Sequence, residues 1–348
     1  MMAWTLVAAL LLASPSAGAE SPSWEQVVFV PPEVRAQFDA KILQQTRMPH
    51  ERARRIVEFM LSPEGLALEY DAASTLTVAE AFDVRRGNCL TLTLAFVTLA
   101  REAGLDAYVQ ETDQQLVQLR GETMVLYSGH VNVGVRIHSR RYVIDFDRSI
   151  IATSEPPRKI TDRRALAHFY NNRGAEWMTV NDLTVARSYL EAAIALQPDF
   201  VPAWNNLGVL ELRSGDARAA ERAYLAALER KWAYVPTLSN LTGLYRQSGE
   251  EKKLTEYQRR LDKVQRLDPF KNFILGQQHE HQGDNAQALG YYQRAVRLHH
   301  DEPQFHFALA RIYERLGDHV RAERSLERAR KSNEGGRTPT ILGYRAPQ

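Results

Sequence analysis

Cysteine is almost missing from this chain: 348 residues contain one, Cys89. A single thiol cannot close an internal disulfide, so the fold must be held by packing alone. No apolar run reaches the roughly 18 residues that a membrane-spanning helix needs. An excess of one charge is missing too. Lys and Arg total 44 against 42 Asp and Glu, and a net charge of +2 gives no electrostatic case for nucleic acid or an anionic membrane as a partner. No acidic loop of the calcium-binding kind occurs. His279, His281, His299, His300 and His306 are scattered without a tight ligand spacing, so no metal or other cofactor is expected.

What is present is ordinary for a globular chain, with 44% hydrophobic and 25% charged residues, and the length suits about two domains. The N-terminus carries an apolar run, Ala3 to Ala13, followed by Ser14-Pro15-Ser16 and Ala17-Gly18-Ala19. That is a signal-peptide core and a small-residue cleavage site, although Met1-Met2 brings no basic residue. Residues 1–19 are expected to be removed and the protein exported, periplasmic or secreted. No cysteine follows the cleavage site, so no lipid anchor is expected there.

Cys89 lies in Arg85-Arg86-Gly87-Asn88-Cys89-Leu90. Asn88 is a good N-cap, which places Cys89 in the first turn of a helix running toward Arg101 and stopped by Gly104. The free N–H groups and dipole of a helix start favour a thiolate. Upstream, Pro31-Pro32 and Pro49 open helices, with Arg55, Ile56, Phe59 and Met60 on one face of the second. Thr77-Val78-Ala79-Glu80 is a capping box for a short helix reaching about Val84.

After Gly104 the period of the pattern falls to two. Ala107 to Glu111 reads as a strand, and Gln115–Leu119 and Thr123–Tyr127 suit a pair turning at Arg120-Gly121-Glu122. His130 to Ile137 and Arg141 to Phe146 both alternate around a turn at Ser139-Arg140. An antiparallel hairpin brings the start of its first strand beside the end of its second, and so His130 near Asp145. A thiol at a helix start, an imidazole and a carboxylate are a nucleophile, a base and an orienting acid. His138 sits at the turn end and ranks below His130; Asp147 competes with Asp145.

With those residues in view, the region of about 50–150 resembles transglutaminase-like cysteine enzymes. Thr77 to Phe82, Arg86-Gly87-Asn88-Cys89, Phe96-Val97-x-Leu99-Ala100-Arg101-x-Ala103-Gly104-Leu105, His130-Val131-Asn132-Val133 and Val143-Ile144-Asp145 carry the likeness. The resemblance implies an α+β papain/transglutaminase-like domain over 20–152, with Cys89 as nucleophile, His130 as base and Asp145 as orienter. It leaves the upstream oxyanion helper unassigned.

Residues 153–161, rich in Pro and polar side chains, read as a linker. Beyond it, Gly215-Asp216, Gly249-Glu250, Gly283-Asp284 and Gly317-Asp318 recur every 34 residues, and Asn181-Asp182 stands one period earlier. Small residues recur seven before each slot (Gly174, Gly208, Thr242, Gly276, Ala310) and five after it (Ala186, Ala220, Leu254, Ala288, Ala322). The pattern resembles tetratricopeptide repeats and implies an all-α TPR solenoid of five repeats over 162–333, with a flexible tail over 334–348. The third repeat departs most, at Leu254, Gln258 and Leu261. Asn205, Asn206, Asn240 and Arg246 are candidates for lining a protein-binding groove.

The expected function is an exported transglutaminase-like cysteine hydrolase or acyltransferase acting on amide or peptide bonds, with a peptide or protein substrate and a protein partner in the TPR groove. The alternative is a non-catalytic TPR scaffold or assembly protein carrying a transglutaminase-like domain.

Overall fold

The computed structural model describes residues 21–118, 124–147, 150–153 and 156–335. The expected signal peptide, the turn at 120–122 and the tail from 336 lie outside these residues. Among the described residues no helix is long and apolar enough to cross a membrane.

The N-terminal half begins with α1 (Trp24–Val27), α2 (Pro32–Phe38), a π-helical turn (Asp39–Leu43) and α3 (Pro49–Leu61). Then come β1 (Glu69–Tyr70), α4 (Val78–Val84), β2 (Arg86–Gly87) and α5 (Cys89–Glu102). Thr77 and Glu80 close the capping box of α4, each side chain accepting from the other's backbone N–H. Helix α5 is buried on nearly every side, which fits its run of Leu, Thr, Ala and Phe with little polar relief. The sheet contains β3 (Asp106–Gln118), β4 (Met124–Ile137), β5 (Arg140–Ile144), β6 (Ile150–Thr153) and β7 (Arg158–Lys159). Its strands run β5-β4-β3-β6, all antiparallel, with β7 pairing on β3. The two short strands expected before His130 are the ends of the long β3–β4 hairpin. The β4–β5 turn is His138-Ser139, one residue earlier than expected, because Arg140 already pairs with Ile137.

Five helix pairs follow: α6 (Asp162–Thr179) with α7 (Leu183–Leu196), α8 (Val201–Arg213) with α9 (Ala217–Arg230), α10 (Val235–Ser248) with α11 (Glu251–Arg266), α12 (Pro269–His281) with α13 (Asn285–Leu298), and α14 (Pro303–Arg315) with α15 (His319–Gly335). Every slot residue of the 34-residue pattern turns left-handed: φ is 63° at Asn181, 86° at Gly215, 71° at Gly249, 79° at Gly283 and 77° at Gly317. The Asp after four of these turns accepts a backbone N–H of the next helix, at Val185, Ala219, Gln287 and Arg321. In the third pair Glu250 makes no such cap, α11 runs two residues longer than α9, and Leu261 is its only buried residue. The apolar core also divides there, into one cluster around α9–α11 and another around α12–α15.

The small residues are there for helix contact. A Cβ on Gly208 would lie 2.4 Å from the ring of buried Tyr224, and one on Gly276 would lie 2.6 Å from Tyr292. Gly243, also mid-helix, has nothing within 4 Å. Gly208→Ala is therefore expected to lose about 1–3 kcal/mol through overpacking. Gly243→Ala should gain roughly 0.5–1 kcal/mol from helix propensity. Urea unfolding of the two variants checks the pair: equal effects would mean that the Gly208 contact does not matter.

Two expectations need correcting. Residues 153–161 are not a free linker, since Arg158 and Lys159 pair with Glu111 and Gln110 as β7, and Ile160 donates its N–H to the Val109 carbonyl. Residues 334 and 335, expected in the tail, belong to α15, which continues through Gly335. The same core that holds α3, α5 and the sheet also takes in Phe169, Ala193, Phe200 and Ala203 from the first repeats. A separate papain-like α+β domain is accordingly not shown. The N-terminal half and the start of the solenoid share one interior.

Candidate functional site

Asn88 holds the start of α5. Its Oδ1 accepts from the Thr91 N–H at 3.0 Å, and its Nδ2 donates to Thr75 Oγ1 at 2.7 Å. Thr75 in turn donates its N–H to Glu176 of α6 at 2.7 Å. The first repeat thus braces the helix start through two short steps. Cys89 is the first residue of α5 and is only partly buried.

His130 and Asp145 meet. The ring Nε2 lies 2.8 Å from Asp145 Oδ2, with the imidazole 2% exposed. The register explains the meeting. Val133 pairs with Ile144, so Asn132 and Asp145 come next in line at the open end of the hairpin, and His130 lies on the same side of β4 as Asn132. Asn132 Nδ2 donates to Asp145 Oδ2 at 3.1 Å, and the Asp147 N–H donates to Asp145 Oδ1 at 3.0 Å. Burial alone would lower the His130 pKa. Hydrogen bonds to Asp145 and to Cys89, with the charges behind them, outweigh it and hold the imidazolium, its pKa pushed up to about 10.

The competitors fall elsewhere. Asp147 accepts from the Tyr70 hydroxyl at 3.0 Å. His138 is exposed at the far turn, with φ at 50°. Tyr70 is a site residue to which the sequence reading assigned no role. The β1–β2 bridge sets it opposite Gly87, two residues before Cys89. Burial first, then the charges of Cys89, Asp147 and Asp145, push its phenol pKa well up and keep it neutral. One tyrosine among 14 has no spacing that would mark it.

The asparagine candidates join as a ladder along successive repeats. Asn206 donates to Asn171, Asn205 donates to Asn206, and Asn205 Oδ1 accepts from both Thr237 and Asn240. Asn171 on α6 was not foreseen. Arg246 stands apart and reaches Gln258. Among the described residues no three His, Cys, Asp or Glu side chains come together as a metal cluster. His306 instead donates to the His300 carbonyl, and His279 stacks on Tyr291.

The second half defines the class of protein: the chain carries tetratricopeptide repeats. A Tetratricopeptide repeat family model matches residues 178–236 and 275–336, and the gap between the matches spans α10 and α11, where the pattern departs. Similar solved structures include PilF of Pseudomonas aeruginosa, at 18% identity and TM-score 0.29, covering 51% of this chain and 80% of that one. MamA from Desulfovibrio magneticus RS-1 is similar at 15% identity and TM-score 0.27, covering 49% of this chain and 96% of its own. MamA of MSR-1 is similar at 18% identity and TM-score 0.25, covering 48% and 97%. At such TM-scores these likenesses carry no argument of their own. No curated protein matches the chain.

Proposed function

We propose that the chain is an exported TPR scaffold that holds a protein partner, and that the Cys89 site acts on amide bonds of what is held. The repeat match supports the scaffold half, and a TPR scaffold without chemistry accounts for the comparisons better than an enzyme does. The chemical half rests on one observation: the buried His130 ring lies 2.8 Å from the Asp145 carboxylate, on a pair of strands packed against the helix that Cys89 begins. Export rests on the N-terminal apolar run and its small-residue end.

The arrangement suits acyl transfer. The sulfur attacks the carbonyl carbon as a thiolate, and the oxyanion that forms meets the N–H groups at the start of α5. The His130 imidazolium gives its proton to the leaving amine, and Asp145 keeps the ring oriented throughout. Water or a second amine then attacks the thioester while His130 takes up the proton, which gives hydrolysis in one case and amine transfer in the other.

An activated ester separates the two halves. With p-nitrophenyl acetate, the full chain is expected to take up one acetyl group, mapped by peptide mass to Cys89. An unmodified Cys89 after prolonged exposure would leave the scaffold reading alone standing.

A further inference from the structure

We infer that Glu176, on the first helix of the solenoid, is a positioning residue for Cys89, and that the first repeat thereby sets the reactivity of the thiol. The inference rests on the reading of Cys89 as a nucleophile and adds what tunes it. The loop before α4 joins α6 to the start of α5. Its Thr75 is 1% exposed and is held from both sides. The Thr75 N–H donates to Glu176 Oε1 at 2.7 Å, and Thr75 Oγ1 accepts from Asn88 Nδ2, also at 2.7 Å. Leu76 grips α5 twice. Its N–H donates to Thr91 Oγ1 and its carbonyl accepts the Thr91 hydroxyl, both at 3.0 Å. Asn88 is the joint between loop and helix: while Nδ2 is fixed by Thr75, Oδ1 caps the Thr91 N–H at 3.0 Å. An amide held at both ends cannot rotate away from the helix start. The first turn keeps its geometry, and its unpaired N–H groups are the ones that favour a thiolate at Cys89.

A buried polar network serves its purpose only when every member is satisfied, and this one has its last acceptor on α6. Without Glu176 the Thr75 N–H is a buried donor with no partner, which is costly. The loop relieves that cost by moving. Asn88 Nδ2 then loses its anchor, and the cap loosens at the turn that carries Cys89. Arg173 holds the acceptor in place: its Nη1 lies 3.0 Å from Glu176 Oε2 and 3.4 Å from the Thr75 carbonyl. Burial pushes the Glu176 carboxyl above its ordinary range, in spite of the hydrogen bonds from Thr75 and Arg173. The place therefore calls for an acceptor oxygen rather than a charge, and glutamine supplies one. Five residues before Glu176, Asn171 accepts from Asn206 at 2.9 Å as the first rung of the asparagine ladder. One helix thus carries both the start of the ladder and the brace on the thiol.

The test is the rate of Cys89 alkylation by iodoacetamide on the full chain, from pH 5 to pH 8 and well below the melting temperature of each variant. Glu176→Ala is expected to slow the reaction at pH 6 by about tenfold, the effect of a rise of one unit in thiol pKa, and to move the profile toward that of a free thiol at ~8.5. Glu176→Gln should stay within about twofold of the wild type, because the oxygen that Thr75 needs is kept. Thr75→Val, which keeps the side-chain shape and removes the oxygen that anchors Asn88, should slow alkylation as Glu176→Ala does, and it carries the test if Glu176→Ala does not fold. A side chain that merely stabilises the fold would lower the melting temperature and leave the pH profile of the folded protein in place. An unchanged profile in Glu176→Ala or in Thr75→Val, or a Gln variant as slow as the Ala one, would overturn the inference and leave Cys89 as the nucleophile. A wild type that tracks free cysteine would remove the nucleophile and the inference together.

Discussion

Glu111→Ala is expected to destabilise the protein by about 3–5 kcal/mol, the cost of removing one partner from a buried ion cluster. The side chain is 4% exposed and serves two guanidinium groups and the His168 imidazole. Without it Arg164, whose side chain is 17% exposed, keeps its charge inside the protein with only a distant acid, Asp199, to answer it. The effect has a pH signature. Burial would raise the Glu111 pKa, but hydrogen bonds from His168 and Arg164 outweigh it and hold it at about 2, against an ordinary 4.5. A carboxylate depressed in the folded state adds stability above its unfolded pKa and loses it as pH falls through the folded one. The gap in stability between wild type and Glu111→Gln should therefore be constant above about pH 5 and close toward pH 2. Urea unfolding at several pH values measures it, and a gap that stays open at low pH would contradict the assignment. Because Glu111 sits where β3 meets α6 in a shared core, the N-terminal half and first repeats should also unfold in one transition.

His130→Ala is expected to slow acetylation of Cys89 by about 10²–10⁴-fold, the usual contribution of a positioned acid–base group. Asp145→Asn should fall in the same range, because the amide can no longer hold the ring in its charged, donating form. Asp147→Asn should cost far less, since that carboxylate serves Tyr70 rather than the imidazole. The ordering of these rates, more than any single value, identifies which acid orients the ring.

Much of this arrangement could be read from the chain before folding. The N-cap Asn88, the capping box at Thr77 and Glu80, and the five left-handed turns are local. Each depends on residues within one turn of each other, and their chemistry is visible in sequence. The approach of His130 to Asp145 follows from hairpin geometry once the alternation is noticed. What could not be read is long-range. Glu111 meets Arg164 and His168 across 53 and 57 residues, and no period or motif links them. Pro156-Pro157 suggests a loose connector, yet at the next residue, Arg158, the chain joins β3, because β7 needs only a pair of backbone partners. The one-residue shift of the hairpin turn comes from His138, which takes a left-handed φ uncommon outside glycine, so that the turn closes on Arg140.

The most direct test of the central claim is the rate at which iodoacetamide alkylates Cys89 between pH 5 and pH 8. A thiol paired with an imidazolium reacts in the acidic part of that range, whereas an ordinary thiol, of pKa ~8.5, does not. The account predicts that the wild type is alkylated at pH 6 at least about tenfold faster than free cysteine, and that His130→Ala removes the difference. Alkylation of the wild type that merely tracks free cysteine across the range, unchanged by His130→Ala, would contradict it.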